Sequence, residues 1–178
     1  MVRTTIAVLA FATIASSAGM AQVPPQVKVG PTGMLLRSLC LPWLSGADAT
    51  ALTAAAERNG FKAKFIGQTL TGFSAPEPLQ SKGWFGVRFS ETRNWCEIDM
   101  AWPGSSRVTP VASEVEALIP ALPPSWHFVA ATPVRDAWGN LPDRAWTAPA
   151  GTLWIRERPN DLAPEANALA MTVHVAKK

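Results

Sequence analysis

The stretch Gly83–Trp102, GWFGVRFSETRNWCEIDMAW, predicts a β-hairpin. Two runs within it alternate in side-chain character with a period of two, as half-buried strands do, because successive side chains of a strand point to opposite faces. The four residues Glu91–Asn94 separate the two runs and fit a hairpin turn. The stretch therefore provides two neighbouring antiparallel strands on which the rest of the fold can be arranged.

One pairing register satisfies both faces of this hairpin. If Ser90 lies opposite Trp95, apolar side chains oppose one another on one face and Arg88 opposes Glu97 on the other. A slip by one residue would lose both matches, so the pattern specifies the register and places Cys96 on the core side. The apolar pairs in this register are Phe89 with Cys96, Val87 with Ile98, and Phe85 with Met100.

The first 21 residues have the pattern of a secretory signal peptide. Arg3 gives a basic start, residues 4–15 form an apolar run, and small residues occupy positions −3 and −1 of a cleavage site before Gln22. The run is short for a membrane span, and an uncleaved anchor is the alternative interpretation. We expect residues 1–21 to be removed and the protein to be periplasmic or secreted.

The remaining chain is predicted to be one domain with a short arm in front of it. Residues 22–33 are rich in proline and glycine and predict a flexible arm, and residues 34–178 have the length of a single domain. The 16 basic residues barely exceed the 13 acidic ones and form no cluster, which argues against nucleic acid as a partner. After signal cleavage we expect no stable membrane span.

The two cysteines, Cys40 and Cys96, predict one disulfide bond. Two cysteines in an exported chain are most simply paired, because the compartments outside the cytoplasm are oxidising. The alternative is a nucleophilic cysteine with His127 or His174 as its base. Neither cysteine lies in a recognisable nucleophile motif, so the disulfide is the favoured interpretation.

Two helices are predicted. In the first, Ser45 is the N-cap and residues 49–58 have high helix propensity. In the second, Thr109 is the cap and an apolar stripe at helical spacing follows, with Glu114 and Glu116 pointing into solvent. The stripe consists of Val111, Val115, Leu118, Ile119 and Leu122.

Strands outnumber helices and show no regular alternation with them, which favours an α+β domain. We expect an antiparallel sheet of about five strands with two helices packed on one face. Besides the hairpin, strands are predicted within residues 61–74 and at residues 126–132, 151–158 and 169–175.

No catalytic motif is present, and two histidines are too few to indicate a metal site, so we expect no metal and no cofactor. His174 should point away from the apolar face of its strand. Glu97 and Asp99 share the outer hairpin face, and paired carboxylates can act as acid and base. Because Arg88 faces Glu97, a surface ion pair explains them more simply.

The outer face of the hairpin is the predicted binding site. It carries Trp84, Trp95, Arg88, Glu97 and Asp99, and tryptophans among hydrogen-bonding charges can bind a glycan or a protein. The alternative is that other parts of the fold cover these side chains. Residues 138–146, which contain two tryptophans, are a second candidate segment.

These features predict an exported, non-enzymatic protein of the bacterial envelope that binds a partner protein or a cell-wall glycan. Such a protein should have an exposed aromatic patch. The alternative is a small periplasmic hydrolase that uses His127 or His174. A hydrolase should have a histidine within hydrogen-bond reach of an acidic residue, and a serine or threonine in a cleft.

Overall fold

The computed structural model describes residues 30–66, 69–75, 84–136, 139–159 and 168–178. In this part of the chain, eight strands form one antiparallel sheet. The strands are β1 (Lys62–Ile66), β2 (Thr69–Ser74), β3 (Trp84–Phe89), β4 (Trp95–Pro103), β5 (Val129–Ala131), β6 (Arg144–Thr147), β7 (Gly151–Pro159) and β8 (Ala168–Lys177).

The sheet consists of two four-stranded meanders joined side by side. Its spatial order is β1-β2-β3-β4-β8-β7-β6-β5, so the last strand of the first meander pairs with the last strand of the second. The β4–β8 ladder runs from Trp95 opposite Ala176 to Pro103 opposite Ala168. The short strands β1 and β5 form the two outer edges.

The described helices lie on one face of this sheet, which we call the inner face; the opposite one is the outer face. A first helical segment comprises α1 (Pro31–Leu35), a π-helical turn (Leu36–Cys40) and α2 (Leu41–Leu44). It is followed by α3 (Ala49–Glu57), and α4 (Val108–Leu118) connects the two meanders.

The predicted helix positions are confirmed, but both predicted caps are wrong. The N-cap of α3 is Asp48, whose carboxylate accepts a hydrogen bond from the Ala51 amide at 2.8 Å, and Ser45 ends α2 instead. Helix α4 begins one residue before Thr109, and its N-cap position, Arg107, has no side-chain capping bond. Several short polar residues precede each helix, so composition alone could not select the capping residue.

The predicted hairpin register is confirmed at every pair. Phe89 lies opposite Cys96 and Arg88 lies opposite Glu97, and the other two apolar pairs also have the predicted partners. The turn closes with the Ser90 amide donating to the Trp95 carbonyl oxygen at 3.1 Å. Matching of both faces was sufficient to fix this pairing because the turn joins its two strands directly.

The inner face and the helices share one core, and the predicted disulfide lies within it. Cys40 and Cys96 are bonded, and both are fully buried. The bond joins the first helical segment to β4 across 56 residues of sequence, for which the chain-entropy model gives about 4 kcal/mol of stabilisation. The inner face of the sheet is thus covalently attached to the layer that covers it.

The α+β class with an antiparallel sheet is confirmed, but the expected number of about five strands is wrong. Residues 61–74 contain two strands, β1 and β2, and β6 lies where no strand was predicted. Strands of three to six residues show too few alternations to be recognised from their pattern. The consequence is a wider sheet, with a larger outer face than the sequence suggested.

The start of the described chain also differs from the prediction. The proposed signal peptide, residues 1–21, lies outside the described residues, as does the arm up to residue 29. From Pro31 the predicted arm is helical, and Thr32 and Gly33 are buried. Proline favours the first turn of a helix as well as a loop, which explains the error. Among the described helices, none has the length and apolar character that crossing a membrane requires.

In the second candidate segment, the one tryptophan that the structure describes is buried. Trp146 is on β6 and faces the core with 3% of its surface exposed, while Trp138 lies outside the described residues. Three further tryptophans are buried as core anchors: Trp43, Trp102 and Trp126. Most of the tryptophans whose side chains the structure describes are therefore part of the core.

Glu114 has a structural role that the sequence did not reveal. Its carboxylate oxygen Oε2 accepts hydrogen bonds from the backbone amides of Thr32 at 2.9 Å and Gly33 at 3.3 Å. These amides are in the first turn of α1, where no preceding residue can satisfy them. A side chain of α4 therefore caps α1, and the expectation that Glu114 points into solvent is wrong.

Replacing Glu114 should destabilise the protein more than replacing Glu116 on the same helix. Glu114→Ala leaves two helix amides without their charged acceptor, and we expect the free energy of unfolding to fall by about 2 kcal/mol. Glu116 is exposed, and Glu116→Ala should change it by less than about 0.5 kcal/mol. Urea unfolding of the two variants measures the difference; equal effects would contradict the capping role.

Candidate functional site

The outer face of the three central strands brings together the polar and aromatic residues that form the candidate site. Strand β8 lies between β4 and β7, and alternation turns Glu97, Asp99, Thr172, His174 and Trp154 to the same side. In the ladders, His174 is directly opposite Glu97 on one side and Trp154 on the other. Glu97 and His174, 77 positions apart in sequence, thus become neighbours by strand pairing alone.

Both carboxylates of the site are fully engaged by donors on the adjacent strands. The Arg88 guanidinium reaches Glu97 Oε2 at 2.9 Å and Asp99 Oδ2 at 2.6 Å. The second oxygen of Asp99 accepts from Thr172 Oγ1 at 2.9 Å, and the second oxygen of Glu97 lies 2.9 Å from His174 Nδ1. Because each oxygen has its own donor, the network is rigid and fixes the side chains around it.

The contact with Glu97 determines which ring nitrogen of His174 is available to a ligand. A carboxylate can only accept a hydrogen bond, so Nδ1 of His174 carries the proton and Nε2 is the other ring nitrogen left for a ligand. In the neutral imidazole, Nε2 is an acceptor; in the protonated ring, the contact with Glu97 becomes an ion pair and Nε2 is a donor.

The imidazole lies in a row of three stacked rings, Trp95–His174–Trp154, which we call the aromatic row. The centroid of Trp154 lies 4.6 Å from that of His174 at an interplanar angle of 11°. Trp95 lies 6.2 Å away at 25°. The Arg156 guanidinium carbon is 5.5 Å from the Trp154 centroid, within cation–π range, and Arg156 also pairs with Asp136 at 3.2 Å.

The surroundings shift the pKa values of the charged pair in opposite directions. Burial alone would raise the pKa of Glu97, but the hydrogen bond from His174 and the charge of Arg88 outweigh it and hold the pKa below its ordinary value. Burial alone would lower the pKa of Arg88, but the contacts with Asp99 and the charge of Glu97 raise it. Both shifts favour the charged forms.

Four of the five predicted site residues meet here as expected. Arg88, Glu97, Asp99 and Trp95 share the outer face, and the predicted pair of Arg88 with Glu97 is present. The side chain of the fifth, Trp84, lies outside the described residues. Their role in binding remains a prediction.

Sequence reasoning missed the half of the site that the second meander supplies. This half consists of Trp154, Arg156, Thr172 and His174. The prediction that the His174 side chain points away from the apolar face of its strand was correct. The alternation of side chains along β7 and β8 could have assigned these four residues to the outer face. What the sequence lacked was any indication that β8 pairs with β4, because two alternating strands far apart in the chain match many partners equally well.

The second histidine has a different environment. His127 is exposed, and its Nε2 lies 2.7 Å from the Leu122 carbonyl oxygen, a contact that fixes the chain after α4. Within the part of the chain that the structure describes, no acidic side chain is hydrogen-bonded to it. His127 therefore holds local structure, and the hydrolase interpretation rests on His174.

A cleft of about 350 Å³ lies apart from the outer-face site. It is on the helix side of β5 and β6, with Glu116 of α4, Arg144 and Trp146 among its lining residues. Over the described ranges, no group of three or more histidine, cysteine or acidic side chains is arranged to hold a metal ion. The described chemistry of the outer face is thus that of hydrogen bonds, charge and aromatic contact.

Comparisons with protein-family models, with curated proteins and with solved structures found no match for this chain.

The depressed pKa of Glu97 predicts a specific pH dependence of stability. The unfolded chain binds a proton at Glu97 near its ordinary pKa of 4.5, whereas the folded protein holds it ionised to lower pH. Its contribution to the free energy of unfolding is therefore fully present above about pH 4.5. It is lost as the pH falls through the lower folded pKa.

Urea unfolding between neutral pH and pH 3 should show this loss in the wild-type protein. Glu97→Gln should reduce the slope of the free energy of unfolding against pH in the acidic range. Glu91→Gln, on the exposed hairpin turn, is the matched control and should keep the wild-type profile. An unchanged acidic slope in Glu97→Gln would contradict the network described above.

Proposed function

We propose that this protein is an exported, non-enzymatic protein of the bacterial envelope that binds a partner protein on its outer sheet face. The observation that supports this most directly is the aromatic row, held between charged networks on a face that the described helices leave uncovered. Tryptophan and arginine are the residues that most often dominate protein–protein binding energy. The row and Arg88, whose side chain is 57% exposed, offer both at the centre of the sheet.

The stacking geometry favours a protein over a cell-wall glycan as the ligand. A sugar packs its C–H groups onto an open aromatic ring face, but here His174 lies between the two indoles and occupies one face of each. The row lies on the outer face of the sheet, with hydrogen-bonding groups beside it. Such a flat surface, aromatic at its centre and polar around it, resembles the anatomy of a protein interface.

Two features support export. The pattern of residues 1–21 is that of a signal peptide, and the buried Cys40–Cys96 bond is typical of proteins in oxidising compartments. The periplasm and the extracellular medium both meet this requirement. An envelope or secreted partner is therefore the one to search for.

The proposal can be tested by affinity capture from envelope extracts under non-reducing conditions. The wild-type protein should retain a specific set of proteins, and Trp95→Ala/Trp154→Ala should lose it. Hot-spot truncation typically costs about 2 kcal/mol per side chain or more, a weakening of roughly 30-fold for each. Glu57→Ala/Arg58→Ala, at the exposed end of α3, is the matched control and should bind as the wild type does.

Two results would contradict the proposal, provided that urea unfolding shows the double variant to be folded. One is retention of the same proteins by Trp95→Ala/Trp154→Ala. The other is binding of the wild type to purified cell-wall glycan, abolished by the same substitutions, with no protein retained; that would identify the glycan as the ligand.

A second candidate function is a small hydrolase, and the 2.9 Å contact between His174 and Glu97 favours it. A carboxylate that orients an imidazole leaves Nε2 free to act as a base. On the same face, the Thr172 hydroxyl donates to Asp99 rather than to His174. The pair also lies on an open sheet face, away from the cleft beside β5, so we place this function second.

The hydrolase candidate makes its own prediction. Purified protein should hydrolyse chromogenic ester or glycoside substrates, and His174→Gln should lower the rate by at least about 100-fold if the imidazole is the base. His127→Gln is the matched control and should leave the rate unchanged. Absence of turnover, or equal turnover in the His174→Gln variant, would exclude His174 as a catalytic base.

A further inference from the structure

We propose, on the basis of the binding function above, that the partner docks an acidic protein surface onto the outer face. Its carboxylates would meet Lys62 and Lys64 on the edge strand β1 and Arg158 on β7, the strand that also carries Trp154. The inference depends on where the strand register places the charges of this face and on which of them are already paired.

The register places five basic side chains on the outer face. Lys64 is opposite Gly72, which is opposite Arg88, so Lys64 lies in the same transverse row as Glu97 and His174. Lys62 is two residues along β1, on the same face. In the second meander, Arg156 and Arg158 are on β7. They lie opposite Thr172 and Ala170 of β8, two positions that face outward.

Within the described ranges, the acidic residues of this face are already paired inside the molecule. All four carboxylate oxygens of Glu97 and Asp99 have donors on neighbouring strands, and Arg156 is paired with Asp136. By contrast, Lys62, Lys64 and Arg158 are exposed and make no ion pair within the described ranges of the chain. The charge that remains for a partner is therefore positive.

The spacing of these cations fits one docked protein. Strands lie about 4.8 Å apart, so Lys64 on β1 is roughly 24 Å from Trp154, five strands away. An interface of ordinary size covers about 800 Å² on each partner, a patch roughly 30 Å across. The aromatic row, which spans β4 to β7, and the lysines of β1 would then lie within one patch. The lysines would be at its rim, where charge steers association and discriminates among partners.

The arrangement favours an acidic protein over an anionic membrane. A membrane-binding face combines dense positive charge with exposed apolar side chains that enter the lipid. This face instead carries its unpaired cations on β1 and β7, with Glu97, Asp99 and Thr172 on the strands between them. A folded or extended polypeptide can form hydrogen bonds with the groups at the centre of this face and ion pairs with the cations around them.

A defined probe tests the charge of the partner separately from its identity. Poly-glutamate peptides of about 15 residues should shift the indole N–H signals of Trp95 and Trp154 in ¹⁵N NMR spectra of the full chain. The apparent affinity should fall by about tenfold when salt rises from about 50 mM to about 500 mM. Lys62→Glu/Lys64→Glu and Arg158→Glu should each weaken it by a similar factor, because these residues are predicted to meet the carboxylates.

Arg37→Glu/Arg58→Glu is the matched control for the double lysine variant, since it makes the same change in net charge at exposed positions on the helical layer. It should leave the shifts within about twofold of the wild type. Equal weakening by this control would overturn the proposal, because the effect would then come from net charge alone. Each variant is first shown to be folded by its dispersed amide spectrum.

The other outcomes separate this inference from the proposed function. Signals that respond to poly-lysine but not to poly-glutamate would overturn the acidic partner while retaining the docking face. Binding to vesicles with anionic lipids, without any response to the peptides, would overturn the protein partner in favour of a membrane. If neither peptide shifts Trp95 and Trp154, and Trp95→Ala/Trp154→Ala still captures the wild-type set of proteins, both proposals fail.

Discussion

The pairing of β4 with β8 is the contact on which the core and the candidate site both depend. It joins the two meanders into one sheet, and its register decides which side chains meet on each face. On the inner face it places Ile98 opposite Val173 in the core; on the outer face it places Glu97 opposite His174. A shift of one residue would exchange the two faces and leave the carboxylate in the core, so the buried face fixes the geometry of the exposed one.

Sequence patterns predicted the local part of this fold well and its long-range part poorly. The β3–β4 register followed from the sequence because a short turn leaves few alternative pairings and Arg88 opposite Glu97 supplied an independent check. The β4–β8 pairing had no such constraint, since about 65 residues separate the strands and alternation is common to both. Short strands such as β5 and β6 are formed largely by the sheet that they extend, so their own residues carry little signal.

The same distinction explains what could be predicted of the site. The first meander supplied its carboxylates, Arg88 and Trp95, all of which alternation assigned to the outer face. The second meander supplied the rest, and a histidine in an alternating strand gave no sign that a carboxylate would orient it or that indoles would enclose it. An isolated histidine can be recognised as part of a site only when its neighbours across the strands are known.

Strand β8 follows the other seven described strands in sequence, yet it occupies the middle of the sheet. Until β8 is added, β4 and β7 each have an unpaired edge, and the two meanders are separate. The disulfide strengthens the first meander alone, because both of its cysteines precede α4. Pairing of β8 is therefore a non-local contact that both assembles the outer-face site and covers the open edges of β4 and β7. A chain in which β8 is not docked would lack the surface proposed to bind a partner and would present two edges open to pairing with other chains.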